Sequence, residues 1–130
     1  MTSRRAMITA CLVSFVAGAG AMWVGAQERA QSVSRREPQF ENEHVRAWKS
    51  IVMPNQPLVL HRHDHGRALI ALTDGQLSVV DKNGKPFHTY HWKAGTAYWL
   101  DVDPPGQMHA DVNDGSKPLE VIVVELKNDR

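Results

Sequence analysis

The sequence predicts an all-β fold, closed into a barrel or a two-sheet jelly roll, and three observations carry that reading. After Phe40 the chain breaks into eight short apolar or alternating runs. Turn residues separate the runs at roughly 8–12-residue intervals, the rhythm of a barrel or sandwich. No stretch holds a sustained helical period between capping residues, and no internal repeat is visible.

The runs follow one another in order. Residues 44–53 (HVRAWKSIVM) come first and close on Pro54-Asn55. Residues 58–63 are next, then 67–73, which Asp74-Gly75 ends. Residues 76–81 lead into Asn83-Gly84, a strong two-residue hairpin signal, ahead of 87–92. Gly95 opens 96–102, the stretch 103–106 reads as a turn, and 107–112 precedes the turn 113–115. Leu119–Leu126 (LEVIVVEL) is the last run and the most apolar. Trp48, Trp92 and Trp99 fall inside strand-like runs, where aromatic packing in the core or at a barrel mouth is expected.

Ahead of these runs the chain has another character. Residues 1–5 are polar and basic, and residues 6–26 carry no charge. A basic start, an apolar stretch and the small-residue end Val24-Gly25-Ala26 fit a secretory signal cut before Gln27. The competing reading is an uncleaved anchor, since 21 uncharged residues suffice to cross a bilayer. Gly18, Gly20 and Gly25 lower the hydrophobicity and favour cleavage. Ser3-Arg4-Arg5 partly matches the start of a twin-arginine signal. Cys11 sits too early in the apolar run for a lipoprotein box. The expected location is therefore periplasmic or secreted, or the inner membrane if residues 6–26 remain as an anchor. Residues 27–39 (QERAQSVSRREPQ) are polar, without apolar period, and are expected to form a flexible tether. The folded domain is expected over residues 40–127.

Composition excludes several classes. Of 130 residues, 15 are Lys or Arg and 14 are Asp or Glu. Only Arg4 and Arg5 are charged before Gln27, so the remaining 104 residues carry 13 basic against 14 acidic side chains. That balance offers no concentrated basic face, and nucleic acid is not an expected partner. Cys11 is the only cysteine, so beyond the signal there is no disulfide framework, thiolate metal site or cysteine nucleophile. Histidine is the unusual residue: seven in all, three of them in His61-Arg62-His63-Asp64-His65.

In an extended strand His61 and His63 share a face. Inside a small barrel that face is the interior, where two imidazoles can converge on one ion. Neutral imidazole suits zinc, iron, nickel or copper, and three or four donors are usual. His109, in a later run, is positioned to bring a third imidazole across.

On these residues the sequence resembles the cupin family. Pro54-Asn55, then His61-Arg62-His63, then Gly75 twelve residues after His63 follow the spacing of the first cupin motif. The stretch Pro104-Pro105-Gly106-Gln107-Met108-His109-Ala110-Asp111-Val112-Asn113 matches the later part of the second. The resemblance implies a single double-stranded jelly-roll barrel and one divalent transition metal (Fe, Zn, Ni, Cu or Mn) on His61, His63 and His109. It also implies a small-molecule ligand or substrate, and a homodimer. One position departs from the family. Its glutamate ligand should fall at position 68, which is Ala68, and the neighbouring Arg67 would repel a cation. Losing that carboxylate favours an anionic substrate or hydroxide as the next ligand. His65 is an alternative donor if the strand extends that far.

Further residues are expected nearby. Gln107 and Asp111 alternate with His109 and are expected to hydrogen-bond the metal ligands from behind. Tyr98 is a candidate donor to a bound substrate. His88 and His91 differ by three, so at most one points inward, and His44 is expected to be exposed. Two activities remain open. One is a metal-dependent dioxygenase, isomerase or lyase acting on a small anionic molecule. The other is a non-catalytic metal- or ligand-binding module.

Overall fold

In a computed structural model of the protein, residues 33–129 are described. The expected signal or anchor (1–26) and the first part of the expected tether (27–32) lie outside them. Every described element is a strand. They are β1 (Arg35–Glu41), β2 (Val45–Val52), β3 (Arg67–Ala71), β4 (Gly75–Val80), β5 (Pro86–Trp92), β6 (Ala97–Leu100), β7 (Ala110–Val112) and β8 (Leu119–Leu126). One sheet has the order β1-β2-β8-β3-β6 and the other β5-β4-β7. All pairs within both sheets are antiparallel.

The alternation of β8 sets the inside of the larger sheet. Leu119, Val121, Val123 and Glu125 are buried, while the residues between them are only partly so. Register then passes that parity to the neighbours. Trp48 of β2 stands opposite Val123, and Leu69 of β3 stands opposite the same valine. These side chains join Val52, Leu58, Leu77 and Trp92 in one core, with Tyr90, Tyr98 and Leu100 packed against it. Burying such aliphatic and aromatic groups contributes about 1.5–3 kcal/mol each.

Two close fits explain residues singled out by spacing. A Cβ on Gly75 would fall inside the Leu119 side chain, so β4 begins against a core leucine that only glycine admits. Asn113, 1% exposed, donates through Nδ2 to the carbonyls of Val52 (2.9 Å) and Lys117 (2.7 Å). Its Oδ1 accepts from the N–H of Gly115 at 2.9 Å. One side chain thereby ties the end of β2 to the β7–β8 connection.

Two sequence expectations need correction. The expected tether reaches residue 39, but β1 already begins at Arg35 and pairs with β2 through Arg35↔Ile51 to Glu41↔Arg46. RREPQFE carries no apolar alternation because β1 is an edge strand with mostly exposed side chains. Conversely, residues 58–63 are not a regular strand. Their only bridge is His61↔His109, because Pro57 has no N–H to give and Val59 turns outward at 86% exposure. The Asn83-Gly84 hairpin does join β4 to β5, with Asp81 accepting from the N–H groups of Asn83 and Lys85.

Replacing Asn113 by alanine is expected to lower stability by about 2–4 kcal/mol, because it strands two carbonyls and one N–H. Urea denaturation of the two proteins side by side measures it; a loss below about 0.5 kcal/mol would refute this account of the residue.

Candidate metal centre

The site begins with a backbone pairing. The N–H of His61 donates to the carbonyl of His109, and that of His109 to the carbonyl of His61, both at 2.8 Å. Two residues so paired project side by side, and their ring centroids lie 4.3 Å apart. His63 enters by a second clasp. Its N–H donates to Asp103 Oδ2 at 2.7 Å, and the N–H of Asp103 donates to its carbonyl at 3.0 Å. The His63 ring lies parallel to Trp48 and 4.9 Å from the ring of His61. One ring nitrogen from each of His61, His63 and His109 falls within 4.8 Å of the other two.

The outer nitrogens of His61 and His63 are already committed, and that of His109 stands near a carboxylate. His61 Nδ1 meets the carbonyl of Val59 at 2.8 Å. His63 Nδ1 meets Glu125 Oε2 at 2.6 Å, with both groups buried. His109 Nδ1 lies 3.3 Å from Asp103 Oδ2. A carbonyl only accepts, so His61 Nδ1 carries the proton and its Nε2 keeps a lone pair. Burial raises the Glu125 carboxyl, but hydrogen bonds from His63 and Arg46 outweigh it and hold the group below its ordinary range. Burial pushes His61 down to about 4 against the opposing pull of Asp111, and His109 down to about 4 against that of Asp103. Both rings are therefore neutral at pH 7. His61 Nε2 is buried with no hydrogen-bond partner. A buried lone pair without a donor is costly, and a metal ion satisfies it. The three residues fit a divalent transition metal.

The same site opens on a cavity of about 490 Å³ lined by apolar residues such as Leu69, Leu77, Tyr90 and Trp92. Arg67 lies within it, 5% exposed, donating to the carbonyl of Asp101 at 3.0 Å and reaching Asp103 at 3.5 Å. Arg36 joins the lining from β1, its guanidinium 5.3 Å above the Trp48 ring.

Chains with this build have been seen before. No family profile matches the sequence, and no curated protein matches it. Among solved structures, a cupin domain from Bordetella pertussis Tohama I is similar at a TM-score of 0.62. Its identity is 21%, over 73% of this chain and 94% of that one. This chain has the cupin fold. An uncharacterised protein with a double-stranded β-helix domain from Klebsiella pneumoniae is similar at 0.53, with 23% identity over 75% and 79% of the chains. An RmlC-like cupin protein from Methanocaldococcus jannaschii gives 0.54, with 18% identity over 73% and 81%. These likenesses carry the fold and nothing finer.

Within the cupin barrel, the expected residues divide. His61, His63 and His109 converge as expected. His65 does not join them: its Nδ1 binds Asp129 Oδ1 at 2.5 Å, and Gly66 donates to the same carboxylate. Gln107 lines the cavity, but a turn closed by its N–H on the Pro104 carbonyl keeps it short of β7, and no side-chain hydrogen bond ties it to a histidine. Asp111 approaches from the inner side instead of from behind, 3.6 Å from His61 Nε2 and 3.8 Å from His109 Nε2. Burial raises its carboxyl above the ordinary range. The Tyr98 hydroxyl accepts from the N–H of Lys93 at 3.0 Å and its ring packs on Trp92. His88 lines the cavity, while His91 and His44 are exposed.

Position 68 is also relocated. Ala68 belongs to the outward parity of β3, and the inward, buried position is Arg67. The carboxylate opposite it is Glu125, across the β3–β8 register. Sequence reasoning passed over Glu125 and Asp103. The alternation of LEVIVVEL did carry a signal for Glu125, as an acid on the apolar parity. Asp103, in a turn, had none.

Exchanging Glu125 for glutamine keeps the shape and removes the charge behind His63. Metal affinity is expected to fall by about 10–100-fold, measured by competition with a coloured chelator. An unchanged affinity would mean that Glu125 serves only the fold.

Proposed function

We propose that this protein binds one divalent transition metal through Nε2 of His61, His63 and His109 and presents it to a small anionic molecule in the barrel cavity. The observation that carries the proposal is the convergence of the three imidazoles, with the Nδ1 atoms of His61 and His63 tied to acceptors and His61 Nε2 buried and unpartnered. When bound, the metal supplies a Lewis acid or, if redox-active, an oxygen-activating centre. The chain's own residues do the rest. Arg67 and Arg36 contribute positive charge to the cavity, while Leu69, Leu77, Tyr90 and Trp92 receive the apolar body of the ligand. On the export reading of residues 1–26, the protein works in the periplasm or at the outer side of the inner membrane, as a pair of barrels.

A second reading is binding without turnover, as a carrier or sensor of the metal or ligand. One observation favours it: Asp103 and Glu125 are both spent on histidines, so neither is free as a general acid or base.

Metal analysis of the protein purified without affinity-tag histidines is expected to find about one iron, zinc, nickel, copper or manganese per chain. The metal should be lost in the His61→Ala/His109→Ala double variant. Failure to retain or take up any metal from a supplied panel would end the metal reading. Iron would direct oxygen-consumption assays, and zinc or nickel isomerase and lyase assays. The anionic preference has its own check. Benzoate is expected to perturb the absorption bands of the cobalt-loaded protein at concentrations about tenfold below those needed of benzyl alcohol, a difference of about 1.4 kcal/mol. Equal potency would refute it.

A further inference from the structure

A carboxylate stands beside two of the three histidines. We propose that Asp111 is the carboxylate ligand of this metal centre, supplied from β7 and not from the strand that follows the histidine pair. The inference rests on the metal reading above and assigns the site an N₃O donor set.

Geometry separates Asp111 from the other two carboxylates at the site. Asp103 and Glu125 face Nδ1 atoms, and both accept hydrogen bonds, from the N–H of His63 and from His63 and Arg46 respectively. Asp111 faces Nε2 atoms, with the charges of Arg36 and Arg67 also in reach. Its two oxygens divide between His61 at 3.6 Å and His109 at 3.8 Å, distances that leave room for an ion shared among the donors. Among the described residues, no N–H or O–H group donates to this carboxylate within hydrogen-bond range. Yet its side chain is only 17% exposed. A carboxylate largely withdrawn from water and reached by no donor is unfavourable, and a cation held against it relieves that.

The backbone fixes where the group points. Asp111 lies two residues beyond His109, on the same face of an extended chain. One neighbour of β7 is β4, through Val79↔Asp111. On the other side the N–H of Leu58 donates to the Asp111 carbonyl at 3.0 Å. Held from both sides, the main chain at Asp111 fixes the face from which its side chain approaches the histidines. The charge balance agrees. Three neutral imidazoles leave a divalent ion uncompensated, and Arg67 fills the inward position of β3 with the wrong sign. Asp111 restores one negative charge at the ion.

The test compares cobalt(II) loading of the native protein with that of Asp111→Asn and Glu125→Gln. The native protein should bind one equivalent. Asp111→Asn should shift the energies and intensities of the cobalt visible bands and weaken binding by more than about 100-fold. Glu125→Gln, which acts behind His63, should weaken binding while leaving the bands in place. Native bands in Asp111→Asn would overturn the proposal while leaving the histidine site intact. No uptake by the native protein would overturn both readings together. Should Asp111→Asn fail to fold, infrared spectra of the native protein labelled with carboxyl-¹³C aspartate decide the matter. Cobalt must then shift the carboxylate stretches of an aspartate, and spectra unchanged by cobalt would overturn the proposal.

Discussion

His61 and His63 give their outer nitrogens to a backbone carbonyl and a buried carboxylate, and the remainder of the site depends on that. An imidazole has two nitrogens and two neutral tautomers, and a buried ring left to itself would turn either way. Here the Val59 carbonyl holds His61, Glu125 holds His63, and Asp103 stands 3.3 Å from His109 Nδ1. Glu125 is placed by a central strand of the larger sheet, and Asp103 by its double clasp on His63. The rings converge because the His61–His109 backbone pair and that clasp bring them to one point.

That arrangement costs stability, and the barrel absorbs the cost by segregating its interior. The core packs Val52, Leu58, Leu77, Leu119 and Val121, with no charged member. Toward the histidines the same inward parity carries Arg67, Glu125 and Asp111. Buried charges are tolerable when paired or hydrogen-bonded, and each of the first two is. Arg67 reaches Asp101 and Asp103, and Glu125 takes Arg46 and His63.

What the sequence revealed follows from where burial writes a pattern. Leu119–Leu126 was readable to the residue because one of its faces is entirely core. The edge strand β1 was hidden because exposure removes the alternation that marks a strand. The segment before His63 misled in the other direction: its apolar residues suggested a strand, but Val59 and Leu60 are exposed and Pro57 interrupts the ladder. At the site, the three histidines were legible from type and spacing. Their supports were not, since Asp103 and the Val59 carbonyl act through tertiary placement, and a backbone carbonyl leaves no trace in a sequence. Position 68 shows the limit of counting: one residue of register moves a side chain through the sheet, from outside to inside.

On the proposal that Asp111 is a ligand, the same register explains why the carboxylate comes from another strand. With arginine at the inward position of β3, an acid there would have to be replaced by one from another strand able to reach the Nε2 side. The β8 candidate, Glu125, is opposite Arg67 in register, but it lies behind His63 and is consumed by Nδ1. The turn candidate, Asp103, is likewise behind His109. Only β7 approaches from the side the lone pairs face, and it carries an acid at that point. Arginine on one strand and aspartate on another thus divide two duties at one cavity. Asp111 faces the lone pairs of the histidines, and Arg67 leaves a positive charge in the cavity lining where an anion would enter.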